Sequence, residues 1–325
     1  MPLETQAGMK DEVTYGTAVV VDRFMEYNSE AIKANVTRIE YNGLRTGQRV
    51  QRTDRFVTVN KGAAGPVKFN PLSVGFGFWL KHMLGTVATG STSDSVTPHT
   101  GTIGSLLGDC FTFQVNRYDA VSAANRAFTW EGGKIASWEL ACDVDGLLEC
   151  TLNMDFEDQK TNTALASASY PSGGELFSFA GGAVTVAGTS TPVTGFKVAC
   201  DNGLKLDRHK LRASTLKQQP IENTQRMITW EMEADFDSLT DYNRFVSTTS
   251  AGAVATIVAT FTAPTLVGVS AYPTIVVTID GARFDSSDPA VSGPEMIMNK
   301  LSGRGLFDGT DSAVTIVYTT ADTTP

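Results

Sequence analysis

Few residues of this chain have the spacing that chemistry requires. Its three histidines, His82, His99 and His209, lie far apart, with no metal-ligand spacing around them. Gly75-Phe76-Gly77 lacks the third glycine of a nucleotide-cradling loop and falls inside a helical pattern. No Gly-x-Ser-x-Gly elbow occurs. Asp143-Val144-Asp145-Gly146 begins like a calcium loop but lacks the alternating ligands and terminal glutamate, so it reads as a turn. Carboxylates are plentiful enough for a glycosidase couple. They fall, however, at every second position of strand patterns, as on solvated sheet faces, and spacing singles out no acid–base pair. No catalytic residue, metal ligand or cofactor is expected, and the chain reads as a non-enzyme.

The charges are informative in another way. Glu231, Glu233, Asp235 and Asp237 form a file at two-residue spacing with no interleaved cation. Neighbouring carboxylates on one strand face repel slightly, so such a file belongs in water. Basic residues crowd elsewhere: Lys33, Arg38, Arg45, Arg49, Arg52 and Arg55 in one stretch, Lys205, Arg208, Lys210 and Arg212 in another. Acidic on one edge and basic on another suits self-association through complementary charge. The net charge of −9 argues against gripping nucleic acid by phosphate neutralisation.

The elements that would carry these residues repeat. Asn42-Gly43-Leu44-Arg45 returns as Asn202-Gly203-Leu204-Lys205, and each copy is followed by a basic stretch, a strand, one amphipathic helix and further strands. At 325 residues the chain has room for two such units and can bury roughly 75% of its extended surface. The expected division is an arm at 1–30 with a short strand at Ala18–Val21, a first β unit at 31–158, a Gly/Ser/Ala/Thr-rich connection at 159–195 and a second β unit at 196–325. A short strand is expected within the connection at Ala183–Val186. The first helix has Asn70 as cap, Pro71 in its first turn and Gly85 as its end. Leu72, Phe76, Trp79, Leu80, Met83 and Leu84 form its core stripe. In the second, Asp237 or Ser238 caps, and Leu239, Tyr242, Phe245 and Val246 share a face.

Strand alternation is clearest from Ile135 to Glu157, turning at Asp145-Gly146. It puts Glu139, Asp143, Glu149 and Asp155 on the polar face, and one permitted register sets Cys142 opposite Cys150. The bland reading, reduced thiols packed as small hydrophobes, is preferred. Ile228–Phe236 alternates throughout. Strands at Ile257–Phe261, Ile275–Ile279 and Val314–Tyr318 follow. Asp285 to Gly309, rich in Pro and Gly, departs from the first hairpin. Ala251–Ile279 carries no charge, but Pro264 and Pro273 and its Thr, Val and Ile content make it paired strands, not a membrane helix. Thr86–Gly108 reads as a loop too long for an ordinary connection. Four cysteines without regular spacing suit a reducing cytosol, and the amino terminus has no signal pattern. The fold class is mainly β with two short helices.

The opening Glu12-Val13-Thr14-Tyr15-Gly16-Thr17, the Asn-Gly-Leu-Arg turn, the run Trp79-Leu80-Lys81-His82-Met83-Leu84-Gly85 and Lys134-Ile135-Ala136-Ser137-Trp138-Glu139 resemble the major tail tube proteins of bacteriophages with long non-contractile tails. The resemblance implies two β-sandwich or partial-barrel units, each flanked by a helix, in a virion protein assembled in the host cytoplasm. It implies rings that stack into a tube conducting DNA without specific binding or membrane insertion. Tape measure, tail terminator and distal tail proteins are the implied partners. With the unit doubled, three chains would make a pseudo-six-fold ring, a hexamer being the alternative. The lumen candidates are Glu139, Asp143, Glu149, Asp155, Glu231, Glu233, Asp235 and Asp237. Candidates for contacts between subunits or rings are Arg38, Arg45, Arg49, Arg52, Arg55, Lys205, Arg208, Lys210 and Arg212. The stacking loop would hold Thr86, Thr89, Ser95, Thr100 and Gly108. A decoration or receptor-binding β-sandwich that forms no tube, and a polysaccharide hydrolase, are the rival readings.

Overall fold

The computed structural model describes residues 4–287, 289–291, 293–294 and 296–325. Its first half contains β1 (Ala7–Glu12), β2 (Arg23–Met25), β3 (Ser29–Glu30), β4 (Lys33–Glu40) and β5 (Phe56–Phe69). Then come α1 (Gly77–Leu84), β6 (Gly85–Thr89), β7 (Thr97–Ile103), β8 (Cys110–Asn116), β9 (Ala127–Asp143), β10 (Glu149–Phe156) and β11 (Asp158–Lys160). The second half opens with β12 (Gly182–Val186), β13 (Thr189–Ser190), β14 (Val193–Asp201), β15 (Leu204–Lys205), β16 (Ile221–Glu222) and β17 (Met227–Asp235). It ends with α2 (Thr240–Phe245), α3 (Ser250–Ala253), β18 (Val254–Thr262), β19 (Thr274–Ser287), β20 (Met298–Leu306) and β21 (Thr315–Thr320). The fold is mainly β, as the alternation implies. In β17, for example, Ile228, Trp230, Met232 and Ala234 are buried while Glu231 and Asp235 are exposed.

The two halves pair their strands in the same way. In the first, the β1–β2 hairpin joins β8, β8 joins β9, β9 joins β10, β10 joins β5 and β5 joins β4. In the second, the β12–β13 hairpin joins β18, then β19, β20, β17 and β14 follow. β11 returns to the start of β9 as β21 returns to the start of β19. Even the irregularities correspond. The β8–β9 register shifts between Phe111 and Phe113, and the β18–β19 register between Ala255 and Ile257. A second shift falls at Asn153/Met154 against β9 and at Phe284/Ser286 against β20. Bulges re-aim strands, so shared bulges mean shared curvature.

The halves are also continuous. β14 lies along the second half of β9, from Gly195 opposite Asp143 to Asp201 opposite Ser137. β21 lies along β7, from Thr315 opposite Thr102 to Thr320 opposite Thr97. One hydrophobic cluster runs through both, from Trp79, Phe111 and Trp130 to Trp230, Ile279 and Phe284.

Several expectations change. The helix α1 begins at Gly77, with Phe76 at its N-cap and no side-chain cap. Asn70 instead donates to the Leu148 carbonyl at 2.9 Å. Gly85, at φ 99, does end the helix. Every residue of the helix except Lys81 is buried, including Phe78 and His82. Residues 7–12, expected in an arm, form β1 inside the sheet with Ala7 and Met9 buried, while Ala18–Val21 makes no strand. Met1–Leu3 of that arm lie outside the described residues. Thr86–Gly108 is mostly the β6–β7 hairpin, because β-branched threonines without charge fit a pleated surface. Cys150 pairs with Leu140, not Cys142, because the chain reverses about Asp145, which takes the left-handed conformation at φ 61, and not about Gly146. All four cysteines are free and buried. In the Pro- and Gly-rich stretch from Asp285, β20 repeats the pairing of β10, while Asp288, Ser292 and Glu295 lie outside the described residues.

Candidate assembly and lumen surfaces

Side by side, β5, β10, β9, β14, β17 and β20 present one polar face. Glu139, Asp143, Glu149, Glu231 and Glu233 line a shallow hollow on it together with Lys197 and Lys300. The structure thus brings together carboxylates from both halves. It also supplies the cations that reading along one strand misses. Register sets Glu231 opposite Lys197 and Glu233 opposite Lys300. Lys197 Nζ lies 2.9 Å from Glu139, Lys68 Nζ 2.9 Å from Glu149 and Lys300 Nζ 3.7 Å from Glu233. Glu149 raises the Lys68 ammonium and Glu139 the Lys197 ammonium above the usual range. Such exposed pairs contribute little stability, and the hollow still holds five carboxylates against two ammonium groups. Asp235, at the end of β17, and Asp237, in the turn before α2, are exposed at one margin.

Asp155 leaves this group. Its alternation is as expected, but the segment between β14 and β17 folds over that end of β10. Lys217 Nζ lies 2.5 Å from both Asp155 oxygens, and both side chains are buried. Burial raises the Asp155 carboxyl above its usual range, against the attraction of Lys217. The same segment places Arg212 3.6 Å from Glu157. Its Arg226 donates to the Leu84 carbonyl at 2.7 Å and the Gly104 carbonyl at 2.5 Å. This segment clamps the second half onto the first.

The two basic groups therefore differ. Lys205 pairs with Asp207 at 2.9 Å, Arg208 donates to the Gln219 carbonyl, Arg212 donates to Leu216 and Lys217 carbonyls, and Lys210 is exposed. Arg38, Arg45, Arg49 and Arg55 stand exposed on β4 and the segment after it, and Arg52 forks onto Asp54 at 2.8 Å. The Asn-Gly turns are not equivalent either: Gly203 has φ 62, a left-handed conformation that Gly43 does not adopt.

The stacking candidates divide. Thr86 and Thr89 lie on β6, Thr100 on β7 pairs with Val317, and Gly108 precedes β8. Ser95 is at the hairpin tip, beside Asp94, which accepts from the Val269 and Ser270 amides at 2.7 and 2.6 Å. These backbone hydrogen bonds lower the Asp94 carboxyl. Nearby Val269 and Tyr272 are exposed. Phe245 of α2 and the flanking Leu239 and Val246 are exposed as well, while Tyr242 is half-buried and Arg244 lies over the Phe284 ring of β19, so the shared apolar face is only partly covered by the described residues.

Sequence reasoning missed Glu12, Lys217 and Arg226. Glu12, within the opening motif, is buried and accepts from Thr112 Oγ1 at 2.8 Å, Gly132 N at 2.9 Å and Gly16 N at 3.0 Å, holding the β9 bulge. It also missed the better repeat. Thr129-Trp130-Glu131-Gly132-Gly133-Lys134 corresponds to Thr278-Ile279-Asp280-Gly281-Ala282-Arg283 at the matching bulges. The Glu/Asp-Gly and Lys/Arg identities were the available signal.

The histidines do not converge on a reactive group. His82 is buried with Nε2 2.7 Å from Asp11, and His99 lies between Thr89 Oγ1 and the Asp322 carbonyl, 3.0 Å from each. Among the described residues no cluster of His, Cys, Asp or Glu is placed to hold a metal ion. No described helix is long and apolar enough to cross a membrane. No curated protein matches the chain in sequence. The family described as phage tail tube protein does match, over residues 3–305, which is nearly the whole length. With its open strand edges, paired β halves and acidic face, this chain belongs to the phage tail tube protein family.

Proposed function

We propose that three of these chains close into a ring of six similar units, and that the rings stack into the tube of a long non-contractile tail. One observation carries this reading: the second half joins the first edge to edge through β9 and β14, a junction that would serve as one step around such a ring. An open edge in a monomer is an aggregation hazard, and closure onto sibling copies removes it. The sheet face bearing Glu139, Asp143, Glu149, Glu231 and Glu233 lines the bore in this reading. A basic wall would exchange counterions with phosphate and hold the duplex. Carboxylate repulsion fades within about 8 Å at physiological salt, so it acts as a bumper at close range. The tube ends then meet the tape measure, terminator and distal tail proteins, and assembly takes place in the host cytoplasm. Electron microscopy of the purified protein tests the reading. Stacked annuli with a central bore support it; discrete particles at all concentrations favour a decoration or receptor-binding module.

A further inference from the structure

The internal junction specifies how one chain meets the next. At matching bulges Ile135 corresponds to Phe284 and Ser137 to Ser286. β5 and β17 take equivalent places beside β10 and β20, with Val67 matching Met232. Their partners then match Glu30 to Phe196, Lys33 to Ala199 and Asn35 to Asp201. Within the chain Asp201 faces Ser137 across the β9–β14 junction. The equivalent residues, Asn35 and Ser286, both lie on edges with no partner among the described residues: β4 pairs only with β5, and β18 stops opposite Arg283.

We propose that β4 of one chain adds to the end of β19 in a neighbouring copy, antiparallel, with Asn35 opposite Ser286 and Ala34 opposite Ser287. This rests on the ring reading and names its seam. Two independent observations support a second copy as the occupant. All of β4 is exposed, and the projection it forms with the following segment and the start of β5 carries Ile39, Tyr41, Leu44, Val50, Phe56 and Val57 to solvent. So much unpacked apolar surface on one projection marks a contact. Charge points the same way. Inside the chain, the segment after β14 brings Arg212 to Glu157, beside Glu131. At the equivalent place in the second half, Asp280 lies near Asp308 and Asp311, and burial with these neighbours raises its carboxyl. The counterpart of the clamping segment is the arginine-bearing segment after β4, which lies exposed on its own chain. Arg45 and Arg49 there would supply a neighbour's Asp280 cluster with the cations it lacks among the described residues.

The backbone makes the register testable. Asn202 N donates to Ala136 O at 2.9 Å, so the adjacent Asp201–Ser137 pair is not mutually hydrogen-bonded and its Cα atoms approach to about 4.5 Å. That separation suits a disulfide. The variant Asn35→Cys/Ser286→Cys, assembled and treated with a mild thiol oxidant, is expected to give two- and three-chain species on a non-reducing gel and nothing larger. Thr37→Cys/Ser286→Cys, displaced by two residues, is expected to stay single. A second variant, Ala34→Pro, removes a donor aimed at the neighbour while sparing the hydrogen bonds to β5. It should keep the thermal midpoint of the unassembled chain but form no tubes. Cross-linking through Thr37 and not Asn35 overturns the register. Tubes from Ala34→Pro, or tubes without either cross-link, overturn the seam while leaving the ring. Absence of annuli from the unaltered protein overturns the ring reading itself.

Discussion

Removing one partner of the Asp155–Lys217 pair separates a clamp from a mere surface contact. Lys217 Nζ sits 2.5 Å from both oxygens of a carboxylate that is itself only 5% exposed, and the two residues belong to different halves. Breaking a buried pair from one side typically costs about 3–5 kcal/mol, because the remaining charge stays in a poorly solvated site. Unfolding entropy of about 2.1 cal/mol/K per residue, over this length, converts that to a fall of about 4–7 °C in Tm if the halves unfold together. The two single variants should not be equal. Burial already raises the Asp155 carboxyl, so in Lys217→Ala it can neutralise itself by taking up a proton. The cost of Lys217→Ala is therefore expected to be the smaller and to shrink from pH 8 to pH 5, as the orphaned carboxyl protonates. Replacing both, as Asp155→Leu/Lys217→Met, removes the desolvated charges together and should restore most of the loss. Urea denaturation of the unassembled chains at the two pH values measures each term. A loss below about 1 kcal/mol for Asp155→Ala, or a double variant no better than the singles, would refute the clamp.

Other expectations follow from the same geometry. Changing Glu231, Glu233 and Asp235 to Lys should leave tubes intact but slow DNA ejection. It should also steepen the salt dependence of DNA binding by about 0.9 in log–log slope for each phosphate engaged; unchanged ejection places that face elsewhere. Replacing the hairpin tip Gly90–Val96 with a two-residue turn should permit rings but shorten tubes, seen as a shift in length distribution. Normal lengths would count against a stacking role. Removing all of Thr89–Thr100 is a poorer test, since it deletes part of β7 and its pairing with β21. Burial lowers the His82 ring below its ordinary value despite Asp11. Below about pH 6.5 the unfolded chain takes up a proton that the folded chain resists. Stability should thus be full above that pH and decline as pH falls, and His82→Gln should flatten this limb in urea titrations.

Much of the fold is legible locally and little of the assembly surface is. The alternation of β17 and β10 and the strand at β12 follow from periodicity, because burial on one face leaves a period of two, whereas α1 is buried on nearly every side and leaves no single stripe. The like-charge file on β17 shows why the rest does not. Its cations, Lys197 and Lys300, come from the flanking strands β14 and β20, and pairing between distant strands leaves no local trace. Asp155 is similar: its alternation is right, but the lysine that covers it lies 62 positions away in sequence. α2 marks the opposite limit. Its spacing reveals an apolar face, yet Leu239, Phe245 and Val246 remain open to solvent, since periodicity does not say what covers a face. The duplication itself was visible through Asn-Gly, a motif that the structure does not superpose. The residues that do superpose, Glu131-Gly132 and Asp280-Gly281, sit at bulges where the backbone constrains them.

A chain with two alike β halves should supply two places in one annulus. The rotational symmetry of the assembled ring, read from end-on electron-microscopy averages and checked against mass per ring, measures this directly. Six similar lobes built by three chains is the predicted result. Six chains per ring with half of each projecting outward, or a particle with no bore, would contradict it.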